Sequence, residues 1–255
     1  MDLNLRGKIA LVTGASRGIG LACARQLAEE GCHLHLASRT KADLERAKEG
    51  IQARHNVSVT VHPVDLSNGD AARSLAAACS EVDILVNNAG GAISKPFAKH
   101  VVSDFRAMLE VNLLSAVVAS QVALPGMRSH GFGRIVNIAS TAGLKGYAYV
   151  TAYVAAKHAL VGFTRALALE TVKDGITVNA VCPGFTDTNM LARSVATIVA
   201  AGGRSREEAR GLLASGNPAG RLVRPEEVAE AVAFLCRPDA SAMTGQAIAV
   251  ACGEV

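Results

Sequence analysis

The sequence predicts a single α/β domain, residues 1–255, in which helices cover both faces of a parallel sheet. Three observations predict this doubly wound architecture. Short apolar, β-branched runs alternate with segments of helical length along the whole chain. Half of the residues are hydrophobic, many of them Ala, Val and Leu, which suits helices packed closely on a buried sheet. No linker-like stretch interrupts the alternation, so a second domain is not expected.

Seven of the apolar runs are predicted to be strands. Each has the length of a buried strand and is separated from the next by turn residues or by a segment of helical length. The predicted strands are Lys8–Thr13, His33–Ala37, Ser58–His62, Asp83–Asn87, Arg134–Ile138, Thr177–Val181 and Ala247–Val250. We therefore expect a seven-stranded parallel sheet.

Amphipathic or Ala-rich segments between these strands are predicted to be helices. They are Ile19–Glu30, Lys41–Arg54, Asp70–Cys79, Val102–Arg128, Thr151–Val172 and Pro225–Cys236. The stretch Asp187–Asn217 breaks the alternation, because it holds helical pieces and no strand. We interpret about 187–217 as a small helical lid inserted over the site, with a merely structural insertion as the alternative.

Charge and targeting patterns exclude several classes of protein. The net charge is only +4, and Lys and Arg are scattered among Asp and Glu, so nucleic acid is not an expected partner. The polar N-terminus, with Asp2, Arg6 and Lys8, does not resemble a signal peptide. The most apolar later stretch, Val111–Leu124, is shorter than the ~20 residues of a spanning helix and contains polar residues, so no membrane segment is predicted.

The cysteine and histidine patterns predict neither disulfides nor a metal site. The six cysteines form no CxxC pair, and we interpret them as small apolar core residues in a reducing, cytoplasmic compartment. His33 and His35 share a strand face but have no evident third ligand. They are therefore interpreted as ordinary strand histidines, and no metal is expected.

A glycine-rich turn joins the first predicted strand to the first helix, where a dinucleotide-binding turn belongs. Gly14 permits the tight turn, Gly18 lets the backbone approach a pyrophosphate, and Gly20 lets the helix pack closely on the sheet. The helix N-terminus would then offer free N–H groups to the phosphates. The predicted cofactor contacts in this turn are Thr13, Gly14, Ser16, Arg17, Gly18, Ile19 and Gly20.

The end of the second strand favours NADP(H) over NAD(H). An NAD-binding fold usually has an acid there for the ribose hydroxyl, but this chain reads Ala37-Ser38-Arg39. Arg39 and Arg17 could hold a 2′-phosphate with charge-assisted hydrogen bonds, although both could be solvated surface residues, and NAD(H) stays possible. Asp65 and Leu66 could meet the adenine, with a helix cap as the alternative role of Asp65.

Tyr153 and Lys157 lie four residues apart in a predicted helix, so their side chains share one face. Ser140 follows the strand before that helix, and Asn112 lies in the preceding helix. With these residues the chain resembles the short-chain dehydrogenase/reductase family, a Rossmann-fold family, over its full length. The matching motifs are Thr13-Gly14-x-x-x-Gly18-x-Gly20, Asn87-Asn88-Ala89-Gly90, Asn112, Ser140, Tyr153-x-x-x-Lys157 and Pro183-Gly184.

The resemblance implies a catalytic role for four residues. Tyr153 would be the general acid in carbonyl reduction, and Lys157 together with the oxidised cofactor would lower the pKa of Tyr153. Ser140 would hydrogen-bond the substrate oxygen, and Asn112 would hold a water that links Lys157 to solvent. Further cofactor contacts implied by the resemblance are Tyr153, Lys157, Asn88, Ala89, Gly90, Pro183, Gly184, Thr186 and Thr188.

Two positions depart from the family pattern. Many members have Asp-Gly-Gly after the last strand, where this chain reads Ala251-Cys252-Gly253, which weakens expectations about the C-terminal end. Thr186 stands where an aliphatic residue is frequent, although its backbone could still serve.

Local similarity to 3-oxoacyl-thioester ketoreductases and 3-hydroxyacyl dehydrogenases suggests the reaction. The expected activity is NADP(H)-dependent reduction of a 3-oxoacyl thioester, carried by coenzyme A or acyl carrier protein. An NAD-dependent 3-hydroxyacyl or secondary-alcohol dehydrogenase and a non-catalytic dinucleotide sensor are the alternatives. Arg193, Arg204 and Arg206 could contact a carrier phosphate but are taken as solvated charges. The long apolar helices lead us to expect a homotetramer, with a homodimer possible.

Overall fold

The computed structural model describes residues 2–66, 71, 75, 79, 81–200 and 202–255. It contains one seven-stranded parallel sheet with the strand order β3-β2-β1-β4-β5-β6-β7, which confirms the predicted doubly wound fold. The strands are β1 Ile9–Thr13, β2 His33–Ser38, β3 Val59–Pro63, β4 Ile84–Asn87, β5 Gly133–Ile138, β6 Ile176–Pro183 and β7 Ala247–Val250.

Helices connect these strands at the predicted places. In chain order, the described α-helices are α1 Gly18–Glu29, α2 Lys41–Gln52, α3 Val102–Leu109, α4 Ser115–His130, α5 Thr151–Thr171, α6 Asn189–Ala200, α7 Arg206–Ala214 and α8 Pro225–Cys236. A π-helical turn, Glu110–Leu114, joins α3 to α4. Most of the predicted helix Asp70–Cys79 lies outside the described residues.

The core lies in two layers, one on each face of the sheet. Along β1, Ala10 and Val12 pack into the layer that contains α1, α2 and α8, whereas Leu11 points into the layer that contains α4 and α5. Every residue of β5 and β6 is buried. The uninterrupted apolar runs of the central strands therefore arise because helices cover both of their faces.

One helical stretch bears on the expectation that no segment spans a membrane. Among the described residues, Val102–His130 is long and apolar enough to cross a membrane by length and composition. It is longer than the apolar stretch Val111–Leu124 considered above, because the helix continues through the π turn. Its residues Ala119, Ala123 and Met127 pack in the core against the sheet, and 39 % of its most apolar 18-residue stretch is buried.

A buried arginine, Arg134, lies at the amino end of β5. Arg134 is 2 % exposed and donates hydrogen bonds to the carbonyl oxygens of Arg237, Gly133, Gly175 and Pro238 at 3.1, 2.8, 3.2 and 3.1 Å. Its guanidinium carbon also lies 4.3 Å from the centroid of the neighbouring Phe132 ring. Backbone carbonyls thus take the place of a carboxylate partner for this cation.

The predicted insertion leaves and rejoins the fold at adjacent points. Thr186 forms an isolated parallel bridge with Val223, and the chain between them carries α6 and α7. These helices have a small apolar core of their own, which includes Leu191 and Ala209. The presence of helices in 187–217 agrees with the sequence, whereas their role as a lid stays a prediction.

Candidate active site

The carboxyl ends of β1 and β4 are joined by the side chains of Thr13 and Asn88. Thr13 Oγ1 accepts hydrogen bonds from the backbone N–H groups of Asn88 and Ala89 at 2.9 and 3.0 Å. Asn88 Nδ2 donates to the carbonyl oxygens of Thr13 and Gly14 at 3.0 and 3.2 Å. These bonds hold the predicted dinucleotide turn against the Asn88-Ala89-Gly90 segment, and they explain why polar residues occupy both strand ends.

Two glycines make this turn possible. Gly14 has a φ of +63°, in the left-handed region that favours glycine. A Cβ atom on Gly20 would lie 2.4 Å from Asn88 Nδ2 and 2.5 Å from the Gly14 carbonyl oxygen. The missing side chain of Gly20 therefore lets α1 approach the turn as closely as it does, in the role predicted for it.

The N-terminus of α1 suits a phosphate. Arg17 precedes the helix in an extended conformation, and no side chain among the described residues caps the helix. Its first turn, which includes Ile19, contains no acidic residue. Ser16 stands just before it, partly exposed. The unpaired N–H groups and the positive end of the helix dipole fit the pyrophosphate of a dinucleotide.

The residues predicted for the adenosine end lie at or just after the ends of β1, β2 and β3. Arg17 and Arg39 are exposed, and neither forms an ion pair with a residue that the structure describes. Ser38 Oγ is buried and has no hydrogen-bond partner among the described residues. Asp65 is exposed and Leu66 is buried. Two cations and a hydroxyl, all unpartnered within the described part of the chain, fit a 2′-phosphate.

Ser140, Tyr153 and Lys157 meet at the carboxyl end of β5. The Ser140 hydroxyl caps a short 3₁₀ turn, accepting a hydrogen bond from the Ala142 N–H at 3.1 Å, and lies close enough to Tyr153 to stabilise its phenolate. Lys157 Nζ is buried, donates to the Ile138 carbonyl oxygen at 2.8 Å and lies 5.7 Å from the centroid of the Tyr153 ring. The spacing of four residues on α5 places both side chains on one face, as predicted.

Burial shifts the pKa values of both groups. It raises the pKa of Tyr153, an effect that Ser140 offsets only in part. It lowers the pKa of Lys157 to about 8. The lowering of the Tyr153 pKa that the resemblance implies depends on the oxidised cofactor as well as on Lys157, and it stays a prediction.

Asn112 lies in the π turn between α3 and α4, a local irregularity that the sequence did not predict. Its Nδ2 donates to the carbonyl oxygens of Gly91 and Met108, both at 3.0 Å, and its Oδ1 accepts from the Gly91 N–H at 3.3 Å. A Cβ on Gly90 would lie 2.7 Å from Asn112 Oδ1 and 3.8 Å from Lys157 Nζ. The missing side chain of Gly90 therefore lets the Asn88-Ala89-Gly90 segment pass close to both Asn112 and Lys157.

The segment after β6 completes the predicted set. Pro183 ends the strand, and the Gly184 N–H donates to the Val250 carbonyl oxygen at 3.1 Å. Thr186 is buried, and its hydroxyl donates to the Gly184 carbonyl oxygen at 2.9 Å. A Cβ on Gly18 would lie 3.2 Å from Thr188 Cγ2, so this segment reaches the turn before α1.

Two residues beside the site were missed from the sequence. The Tyr147 hydroxyl hydrogen-bonds Glu254 and lies 2.7 Å from Thr141 Oγ1. Glu254 also pairs with Lys145 at 3.2 Å, and its Oε2 lies 2.8 Å from where a Cβ on Gly184 would stand. Residues so far apart in the chain give no local signal, so only the fold reveals that the C-terminal segment returns to the site.

Known proteins resemble this chain over nearly its whole length. The short chain dehydrogenase family matches residues 8–198. A D-beta-hydroxybutyrate dehydrogenase of Cupriavidus necator is 39 % identical over 253 residues, which cover 94 % of this chain and 95 % of that protein. The crystal structure of L-sorbose reductase from Gluconobacter frateurii, complexed with NADPH and L-sorbose, has a TM-score of 0.95 at 30 % identity and covers 100 % of this chain and 99 % of that one.

A third comparison is with a polyketide enzyme. The crystal structure of a single-residue variant of actinorhodin polyketide ketoreductase with NADPH has a TM-score of 0.91 at 39 % identity, and 97 % of each chain is covered. Fold, site geometry and these matches agree with the resemblance drawn from the motifs. The chain belongs to the short-chain dehydrogenase/reductase family of oxidoreductases.

Proposed function

We propose that the chain is an NADP(H)-dependent reductase of 3-oxoacyl thioesters. The observation that carries the proposal is the arrangement at the end of β5, where the Ser140 hydroxyl lies beside Tyr153 and the Lys157 amine lies beside the same ring. A phenol proton, a hydroxyl donor and an ammonium group on one side of a dinucleotide turn are what carbonyl reduction requires.

In the proposed reaction, the bound reduced nicotinamide supplies a hydride to the substrate carbonyl carbon. Tyr153 donates its hydroxyl proton to the substrate oxygen. The pKa of Tyr153 is raised by burial, which keeps the phenol protonated and ready to act as an acid. Ser140 donates a hydrogen bond to the same oxygen while negative charge develops there.

Lys157 and Asn112 complete the proton path. The Lys157 ammonium stabilises the phenolate left on Tyr153, from its position 5.7 Å from the ring centroid. Asn112 Oδ1 uses one lone pair for the Gly91 N–H and has a second one available, and both Asn112 Oδ1 and Lys157 Nζ lie next to Gly90. That lone pair can hold the water through which Lys157 regains its proton from solvent.

The residues proposed to hold the cofactor follow several strands of the sheet. The α1 N-terminus would hold the pyrophosphate, and Arg17, Ser38 and Arg39 would hold the 2′-phosphate. Asp65 and Leu66 would meet the adenine, and Lys157 with Tyr153 would meet the nicotinamide ribose. Asn88, Ala89 and Gly90 would line the cofactor wall, and Pro183, Gly184 and Thr186, with Thr188 close by, would meet the nicotinamide. NADPH in the two structural relatives described above supports this choice of cofactor.

The thioester carrier is supported by cations on the insertion. Arg193, Arg204 and Arg206 are exposed, and none forms an ion pair with a described residue. Arg210 on the same insertion differs, because it forms a bidentate pair with Asp187 at 2.9 and 2.6 Å. The first three guanidinium groups, which have no acidic partner in the described ranges, can therefore meet a carrier phosphate.

The first experiment measures loss of nicotinamide absorbance with NADPH and a panel of 3-oxoacyl-CoA esters. Turnover is expected with the CoA esters, and a higher KM is expected for truncated thioesters that lack the phosphates. Arg193→Ala and Arg206→Ala should raise KM for the CoA ester and leave KM for the truncated thioester unchanged. An absence of turnover across the panel rejects the thioester substrate.

A second candidate is an NAD-dependent 3-hydroxyacyl or secondary-alcohol dehydrogenase. The observation that favours it is the 39 % identity with a D-beta-hydroxybutyrate dehydrogenase. Comparing kcat/KM for NADPH and NADH, in the wild type and in Arg39→Ala, separates the two. We expect Arg39→Ala to weaken NADPH use by about tenfold and to leave NADH use unchanged, since one charge-assisted contact is lost.

We also propose a cytoplasmic homotetramer, with a homodimer as the alternative. Leu169 on α5 is 81 % exposed and Val172, just after that helix, is 47 % exposed, so the end of α5 offers an apolar face to a second copy. All six cysteines are free thiols, in keeping with a reducing compartment. Light scattering coupled to size-exclusion chromatography measures the oligomeric state.

A further inference from the structure

Two strands bring His35 and His62 together on one face of the sheet. In the parallel pair β2–β3, His62 lies opposite Ala37, two residues along the strand from His35. Because side chains alternate between faces, both imidazoles point into the layer that contains Ala37 and Cys79. The pairing differs from the His33–His35 pair considered in the sequence, because the strand register determines which histidines meet.

The three side chains are close enough to share one ion. His35 Nδ1 lies 2.8 Å from His62 Nε2, and the ring centroids are 5.1 Å apart with 19° between the ring planes, so the two imidazoles meet edge to edge. Cys79 Sγ lies 3.7 Å from His62 Nε2, and the ligand atoms of all three residues lie within 4.8 Å of one another. No similar group of three potential ligands was found elsewhere among the residues that the structure describes.

These distances can be compared with a tetrahedral zinc site. Usual zinc–ligand bond lengths place two nitrogens roughly 3.4 Å apart, and a nitrogen and a sulfur roughly 3.6 Å apart. The observed nitrogen–sulfur distance already fits. The two nitrogens need to separate by about half an ångström, which small rotations of the half-buried imidazoles provide.

The chemistry of the three side chains also suits an ion. Neutral imidazole and thiolate are the forms that bind metals, so an ion at the site would displace the thiol proton of Cys79, as it does from coordinating thiols in general.

We propose that His35, His62 and Cys79 form a site for Zn²⁺, with water or a small anion as the fourth ligand. Two imidazoles and a thiolate select a borderline ion such as zinc over Mg²⁺ or Ca²⁺, which prefer oxygen ligands. The site would join β2, β3 and the segment that contains Cys79. It lies apart from Tyr153 and is independent of the proposed reductase activity.

The test is a titration of the metal-free protein with Co²⁺, which reports its ligands by absorption. We expect one ion per chain, visible bands of tetrahedral Co²⁺, a thiolate-to-metal charge-transfer band, and displacement by Zn²⁺ but not by Mg²⁺. Cys79→Ser should abolish the charge-transfer band, and His62→Gln should weaken binding at least tenfold. Zn²⁺ should also raise the melting temperature of the wild type and not of Cys79→Ser.

Matched controls are available in the chain. His33→Gln changes another histidine of β2, one that accepts a hydrogen bond from the Ser58 N–H, and Cys252→Ser changes the one cysteine that is not buried. Both should titrate like the wild type. Circular dichroism of each variant establishes that it is folded. Octahedral Co²⁺ spectra in the wild type, or an unchanged charge-transfer band in folded Cys79→Ser, would show that the two histidines form only a hydrogen-bonded pair.

Discussion

A buried cation lies at each end of β5, and the two cations differ in the number of hydrogen bonds that they donate. At the amino end, Arg134 donates to four backbone carbonyl oxygens and lies against an aromatic ring. At the carboxyl end, Lys157 donates to the single carbonyl oxygen of Ile138 among the described residues. The ammonium group has three donors, so most of its capacity is left for other partners.

We interpret the amino end of β5 as serving the stability of the fold, and its carboxyl end as the place of the proposed reaction. Arg134 makes four hydrogen bonds to backbone carbonyl oxygens, whereas Lys157 makes one among the described residues. Burial lowers the pKa of both cations, to about 8 for Lys157. Ser38 Oγ and Glu254 Oε2, both buried without a hydrogen-bond partner among the described residues, lie at the same carboxyl edge. Ligands bind at this edge of the sheet in folds of this kind.

The largest effect is expected from Tyr153→Phe. Removing the hydroxyl removes the proton donor, so kcat should fall by about 10³-fold or more, while the dissociation constant of NADPH measured by fluorescence stays within about twofold. Ser140→Thr, which keeps a hydroxyl, serves as the conservative control. Undiminished turnover in Tyr153→Phe would overturn the catalytic assignment, and a chain that binds NADPH but never turns over would instead be a dinucleotide sensor.

Two matched substitutions test the difference between Arg134 and Lys157. Lys157→Met should lower kcat by about 10²-fold and maintain or raise the melting temperature, because a poorly satisfied buried charge is removed. Arg134→Met should lower the free energy of unfolding by about 3 kcal/mol, because four carbonyl oxygens lose their donor, with kcat per folded molecule unchanged. If Lys157→Met were the less stable of the two in chemical denaturation, the distinction between the ends would be wrong.

Alanine substitutions at two glycines compare the dinucleotide turn with a helix surface away from it. Gly20→Ala places a Cβ 2.4 Å from Asn88 Nδ2, so it should lower the free energy of unfolding by about 1–3 kcal/mol and weaken NADPH binding. Gly50 in α2 has no atom of the described residues within 4 Å of the corresponding position. Gly50→Ala should therefore raise stability by about 0.5–1 kcal/mol. Equal melting temperatures for the two variants would contradict the proposed packing of α1 on the turn.

The smallest effect concerns pH. The pKa of Lys157 is lowered to about 8, so its ammonium form is lost as the pH rises through that value, and kcat for reduction should fall about tenfold between pH 7 and 9. The free energy of unfolding should change in the opposite direction and rise with pH. The unfolded chain holds this proton up to the ordinary lysine pKa of 10.5, so the destabilisation due to Lys157 diminishes between pH 8 and 10.5.

This effect is measured as the difference in unfolding free energy between the wild type and Lys157→Met. The difference should shrink as the pH rises above 8. A reduction rate that stays constant to pH 9 would show that the charge of Lys157 does not limit the reaction.

Sequence reasoning was sufficient for local features and insufficient for distant contacts. The strands could be placed to within two residues, because helices on both faces of the sheet require uninterrupted apolar runs. The site motifs could be placed because each follows a strand or shares a helix face. The pairing of His35 with His62 depends on strand register, and the contact of Glu254 with Tyr147 depends on the whole fold, so neither has a local pattern.

The bridge between Thr186 and Val223 has a consequence for how this protein can diversify. The bridge holds the two ends of the intervening segment close together. A change in the length of this segment therefore adds little to the entropy cost of loop closure. The sheet would remain intact if the segment were exchanged for another. The segment can therefore be exchanged between related chains as a unit, while Tyr153 and the glycine-rich turn stay in place.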